Sequence, residues 1–135
     1  MKLLDIWNSR ESWMALADMK KPPKVAYRLM RYHAKINAEL VALEAGREAA
    51  VYEAAGVEGP AIVSLNPGSV EYEIFIKGFN KFLDEESDLS PVGISMDALV
   101  DALDGDAANR LTERQLALLE PFFTEKAPVL ELVKA

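Results

Sequence analysis

From Pro23 to about Ala55 the sequence runs PKVAYRLMRYHAKINAELVALEAGREAAVYEAA, with one glycine and no second proline inside it. Pro23 suits the first turn of a helix, where a missing N–H costs nothing. Lys21 and Pro22 stand before it, pushed out of helical geometry by the prolines that follow. The stretch is rich in Ala, Glu, Leu and Arg, all good helix formers. Gly56 supplies a C-terminal cap. These features predict a helix of about 32 residues, ~48 Å long at 1.5 Å per residue. A domain of this length has a radius of gyration near ~14 Å. The helix is therefore expected either to project or to pack against a second chain.

Its apolar face sharpens that expectation. Leu29, His33, Ile36, Leu40, Leu43, Arg47 and Ala50 step by 4, 3, 4, 3, 4 and 3. This is heptad spacing over about three heptads. Leu29, His33, Ile36, Leu40, Leu43 and Arg47 are accordingly read as a self-association seam, and the protein as a homo-oligomer.

A second row on the same helix is cationic. Lys24, Arg28, Arg31 and Lys35 step by 4, 3 and 4, forming one continuous face, and Lys20 and Lys21 extend it at the N-terminal end. Tyr27 and Tyr32 flank the row. Helix starts favour anions, because unpaired N–H groups leave partial positive charge there. Lysines and arginines therefore stand against the helix dipole and need a compensating partner. One compensation is internal, by pairing with the acidic run Asp84, Glu85, Glu86 and Asp88. A solvated charged face is the other structural reading. The functional reading makes Lys20, Lys21, Lys24, Tyr27, Arg28, Arg31 and Lys35 a site for an anion: a phosphate, a nucleotide or an acidic protein surface.

The whole-chain charge limits the choice of anion. Residues 1–36 carry eight Lys/Arg against three Asp/Glu, while residues 37–135 carry seven against nineteen, for a net charge of −7. A molecule polarised in this way can pair head to tail with itself or present two faces to different partners. Its acidic remainder repels a long polyanion, which argues against duplex nucleic acid.

The chain of 135 residues reads as one domain. KLLDIW suggests a short strand, followed by a capping box from Asn8 to Glu11 and a helix from about Ser9 to Met19. AIVSL suggests a second strand, closed by the turn signal Asn66-Pro67-Gly68. Tyr72, Phe75, Ile76, Phe79, Phe82 and Leu83 recur at helical spacing, predicting a helix from about Val70 to Glu85. The alternative is a strand at 70–77, since Gly78 and the β-branched Ile74 and Ile76 weaken a helix. DLSPVGI is extended. Ser95 caps MDALVDAL, DGDAAN is a loop, and Thr112 with Gln115 opens ERQLALLEPFF. The tail 124–135 carries an apolar stripe and is expected to dock. The expected fold is α+β and predominantly helical. One long helix packs against two or three shorter ones and a small sheet from strands near 2–7, 61–65 and 89–94.

Three stretches, KKPPKVAYRLMRYHAKINAELVALEAGREAAVYEAAG, FNKFLDEESDL and LTERQLALLEPFF, resemble small, functionally uncharacterised proteins of tailed bacteriophages. In those proteins a Lys-Pro-x-Lys-x-Ala-Tyr-type start leads into a long charged helix. The match in order covers about residues 1–123, with departures at Pro22-Pro23 and in residues 57–70. The resemblance implies a phage gene product with a dominant helix, acting in the host cytoplasm or in the virion. It carries over no catalytic residue.

Enzymatic chemistry finds little support. The chain has no cysteine and a single histidine, His33. Thiolate metal sites and disulfides are therefore impossible, and the usual nucleophile–base pairs are nearly excluded. His33 lacks the companions a metal site or general base needs. DEESD and DALDGD lack the alternating oxygen ligands of a calcium loop. No phosphate-binding glycine loop is present. No apolar run approaches the ~18–20 residues of a membrane span, and the N-terminus makes a poor signal peptide. The expected function is a non-enzymatic, phage-encoded small binding protein. It needs no cofactor or metal, and works through self-assembly and a phage or host protein partner. The alternative is a counter-defence protein that sequesters a nucleotide-like small anion on the basic helix face.

Overall fold

A computed structural model describes residues 1–59 and 61–124. The elements in order are helices α1 (Leu3–Asn8), α2 (Arg10–Ala17), α3 (Pro23–Ala55) and α4 (Val70–Leu83), strand β1 (Val92–Ser95), helices α5 (Met96–Leu103) and α6 (Glu113–Leu119), a 3-10 turn at Glu120–Phe122, and strand β2 (Phe123–Thr124). The fold is α+β and predominantly helical, and α3 dominates it.

The local signals explain most of the boundaries. Pro23 opens α3, and Gly56 closes it in the left-handed conformation at φ 69°, where a side chain would be strained. Ser69, Ser95 and Thr112 each accept a hydrogen bond from the backbone N–H three residues on, which satisfies one of the orphan donors at each helix start. Gln115 reaches back to the Thr112 N–H at 2.8 Å, completing the box that opens α6. Segment 70–83 is helical; Phe75, Phe79 and Phe82 stack along one side of it.

The sheet is smaller than the sequence suggests. β1 pairs with β2 in parallel, with Val92 opposite Phe123 and Ser95 opposite Thr124. The strand near 89–94 is thus found, shifted to 92–95. The strand expected at 2–7 is instead the helix α1. Leu3, Ile6 and Trp7 share a helical face, Ile6 is fully buried, and the Asp5 carboxylate accepts the Lys2 backbone N–H at 3.1 Å. What remains of the expected pairing is a single antiparallel bridge between Lys2 and Glu86. Residues 61–65 form no strand, and Ile62 is fully exposed. Short apolar runs carry no periodicity that distinguishes strand from helix or loop, and this one pairs with no strand among the described residues. The docking expected of the tail falls on residues 125–135, outside the described residues.

The core lies along one side of α3. Leu29, Ile36 and Leu43, seven residues apart, are at most 4% exposed, and Tyr32 joins them. Against this line pack Ile6 of α1, Trp13 and Leu16 of α2, Phe79 and Leu83 of α4, Leu99 of α5, and Leu119, Phe122 and Phe123 near the C-terminal end of the described chain. Trp13 is the hub, within 6 Å of the rings of Tyr32, His33, Phe122 and Phe123. At Gly46 the Phe82 ring lies directly on the α3 backbone; a Cβ there would stand 2.8 Å from its Cζ.

Candidate basic groove

The seam residues of the long helix are used inside the chain. Leu29, Ile36 and Leu43 belong to the core, and Leu40 is half-buried against it. His33 stacks on Trp13 with ring centres 5.8 Å apart, and Arg47 forks onto the Glu44 carboxylate at 2.6 and 2.9 Å. The 4-3 spacing is therefore satisfied by α1, α2 and α4, and it does not require a second chain.

The cationic row has a different setting. Lys24, Arg28, Arg31 and Lys35 are all exposed. Together with Tyr27 and Tyr32 they form one wall of an open groove of about 870 Å³, whose other wall is the loop 88–91 with the first two residues of β1, Val92 and Gly93. Tyr32 fixes the spacing of the two walls. Its ring is buried, its hydroxyl donates to the Ser90 carbonyl at 2.7 Å, and burial pushes its pKa up to about 12, so it remains a neutral donor. Arg28 Nη1 donates to the Gly93 carbonyl at 3.3 Å, a long bond that spans the groove. Tyr27 stands on the rim, 56% exposed, with the Arg31 guanidinium 5.8 Å from its ring centre and a 3.4 Å bond from Arg31 to its hydroxyl.

The acidic run is engaged elsewhere. Among the described residues, the ion pairs within 4 Å are the Met1 ammonium with Glu86, Lys2 with Asp84, and Arg47 with Glu44. Asp84 raises the Lys2 pKa through their hydrogen bond. The run thus clasps the amino terminus to the end of α4, reinforced by the backbone bonds Leu3 N–H to Glu85 and Ser87 N–H to Met1, each 2.9 Å. Asp88 lines the groove but lies beyond ion-pair distance of the four cations. Among the described residues, no carboxylate pairs with the row.

Lys20 and Lys21 stand apart from it. The Lys21 ammonium donates to the Leu16 carbonyl at 2.7 Å and to the Met19 carbonyl, capping the end of α2 where cations are favoured. Burial pulls its pKa down. The Lys20 backbone is gripped by Asn109, which accepts from the Lys20 N–H and donates to its carbonyl at 2.7 Å. Neither role is visible in the charge pattern, because both depend on where a helix ends. A second cavity of about 280 Å³ lies behind Lys21, lined by Trp13, Leu16, Met19, Leu29 and His33. Burial lowers the His33 pKa, so its imidazole is neutral near pH 7.

No group of three or more metal-ligating side chains occurs among the described residues. No helix among them is long and apolar enough to cross a membrane. The chain matches no family model, no curated protein and no solved structure.

Proposed function

We propose that the protein is a non-enzymatic binding protein whose basic groove takes an acidic segment of a protein partner. The observation that carries this reading is the set Lys24, Arg28, Arg31 and Lys35: exposed, aligned on one wall, and paired with no carboxylate among the described residues. Placing Lys24 near the positive end of a helix costs stability, and an anionic ligand offsets that cost. The row spans ~16 Å along the helix axis at 1.5 Å per residue. About five residues of extended chain cover that length, with same-side carboxylates ~6.6 Å apart. The opposing wall of Leu89, Pro91 and Val92 gives such a segment an apolar contact. With the phage resemblance, the partner would be a phage or host protein, met in the host cytoplasm or during virion assembly.

One observation favours a second reading. The exposed Tyr27 ring beside Arg31 offers a stacking face next to cations, which suits a nucleotide-like anion sequestered in a counter-defence role. Calorimetric titrations with a Glu/Asp-rich peptide and with a nucleoside triphosphate separate the two. Tight, salt-sensitive peptide binding that Arg28→Glu abolishes supports the first reading. Selective nucleotide binding that Tyr27→Ala weakens supports the second. Binding of neither rejects the groove as an anion site.

A further inference from the structure

The face of α3 turned away from the core is patterned as regularly as the face turned toward it. Ala34, Ala38, Val41 and Ala45 occupy its middle, with Tyr27 and Arg31 toward the N-terminal end and Glu48 toward the C-terminal end; the steps from 27 to 48 are 4, 3, 4, 3, 4 and 3. All seven are exposed. Val41 is 72% exposed, and the neighbouring Met30 64%. Lone apolar surface residues need no explanation, but a straight row at coiled-coil spacing on an uncovered helix face is a different matter.

Charge identifies what covers this face. Residues 20–35 hold six cations and no carboxylate, whereas residues 48–74 hold five carboxylates and no cation. A single rigid helix separates the two blocks. Arg31 and Glu48 lie ~26 Å apart along its axis at 1.5 Å per residue, so they cannot meet within one chain. Two parallel copies would set Arg31 against Arg31 and Glu48 against Glu48. Two antiparallel copies set each Arg31 against the Glu48 of the other.

We propose that two copies of this chain pair antiparallel along the outer face of α3, about a two-fold axis passing between Glu39 and Leu40. In that register Arg31 meets Glu48, Ala34 meets Ala45, and Ala38 meets Val41, each twice by symmetry. An interface of this kind is isologous and closes on itself, giving a dimer rather than a filament. The alanines let the two helices approach to the near end of the 8–10 Å range, and Val41 and Tyr27 bury apolar surface beside them. This inference goes beyond the anion groove, which lies on the adjacent side of α3 and shares only Tyr27 and Arg31 with it.

The register can be read directly, because the chain has no native cysteine. Ala34→Cys and Ala45→Cys are made as separate single variants, mixed and oxidised. Disulfide-linked heterodimer is expected, with little Ala34→Cys homodimer. Sedimentation of the wild type should show a monomer–dimer equilibrium. Val41→Glu should shift it to monomer while leaving the melting temperature of the monomer unchanged, because Val41 faces away from the core. Glu48→Arg should also dissociate the dimer, and Arg31→Glu added to it should restore dimerisation. A monomer at every concentration, efficient Ala34→Cys homodimer, or a dimer indifferent to Val41→Glu each overturns the proposal. Val41→Glu leaves Lys24, Arg28 and Lys35 intact, so it should still bind an acidic peptide. Failure of that peptide to bind wild type would count against the groove and not against the dimer.

Discussion

Gly46 and Gly78 both sit inside helices, yet Gly→Ala should have opposite effects at the two sites. In a helix interior alanine is favoured over glycine by about 1 kcal/mol. At Gly78 nothing lies within 4 Å of the added Cβ, so Gly78→Ala should be stabilising by about 0.5–1 kcal/mol. At Gly46 the same Cβ enters the Phe82 ring, with Cζ at 2.8 Å. The ring is half-buried, 6.3 Å from Phe79, and cannot retreat without disturbing the contact between α3 and α4. Overpacking of this kind costs about 1–3 kcal/mol, which exceeds the gain in propensity. A net loss of about 1 kcal/mol is expected. For a chain of this size 1 kcal/mol moves Tm by about 3–5 °C, so the two variants should differ by about 5–10 °C in a thermal melt. The dimer must be excluded by working at low concentration or in a Val41→Glu background, since association raises Tm. Equal stabilisation by both substitutions would refute the packing of Phe82 on Gly46, and with it the described crossing of α3 and α4.

His33 should confer a pH dependence. Burial lowers its pKa in the folded chain from the ordinary 6.5, so the unfolded chain binds that proton more tightly. The stability it confers is complete above about pH 6.5 and is lost as pH falls toward the folded value. Tm should drop as pH falls below about 6.5, and His33→Gln should flatten that drop; an unchanged slope would contradict it. Asn109 holds the Lys20 backbone at two points and also donates to the Leu103 carbonyl at 3.1 Å. Asn109→Ala should cost about 1–3 kcal/mol in chemical denaturation at ~1 kcal/mol per bond, and a neutral result would show that the bridge is replaced by water. Lys2→Ala should loosen the clasp between the amino terminus and Asp84 and speed amide exchange at Leu3 and Ser87 without altering anion binding.

The sequence reveals most where one physical signal dominates. Pro23, Gly56 and the unbroken run between them locate α3, and the spacing of Phe75, Phe79 and Phe82 locates α4. The caps at Ser69, Ser95 and Thr112 are legible for the same reason: each is a local bond. Pairing at a distance is less legible. Nothing in KLLDIW or AIVSL says whether a neighbouring strand exists, and the parallel match of Val92 with Phe123 joins residues far apart in the chain. The heptad row at Leu29, Ile36 and Leu43 shows that a helix face is covered without showing by what, and the chain's own helices cover it. The cationic row is equally legible as a row. Its opposing wall, Leu89 to Gly93, appears only when the chain folds. The same holds for Lys21, which the charge pattern groups with the row and the fold assigns to the end of α2.

The central claim is that the cationic row of α3 is a binding site and not an internal clamp. It is tested most directly by measuring, on one preparation of Lys24→Glu with Arg28→Glu, both the melting temperature and the affinity for a Glu/Asp-rich peptide that the wild type binds. Exposed substitutions stay within about 0.5 kcal/mol, the one bond lost, from Arg28 to the Gly93 carbonyl, is long and exposed at 3.3 Å, and an acid in the first turn of α3 gains a few tenths from the helix dipole. The account predicts a melting temperature that holds or rises slightly, together with loss of peptide binding. A marked fall in melting temperature, restored by reversing Glu85 and Glu86 to lysine, would contradict it and make the row a clamp.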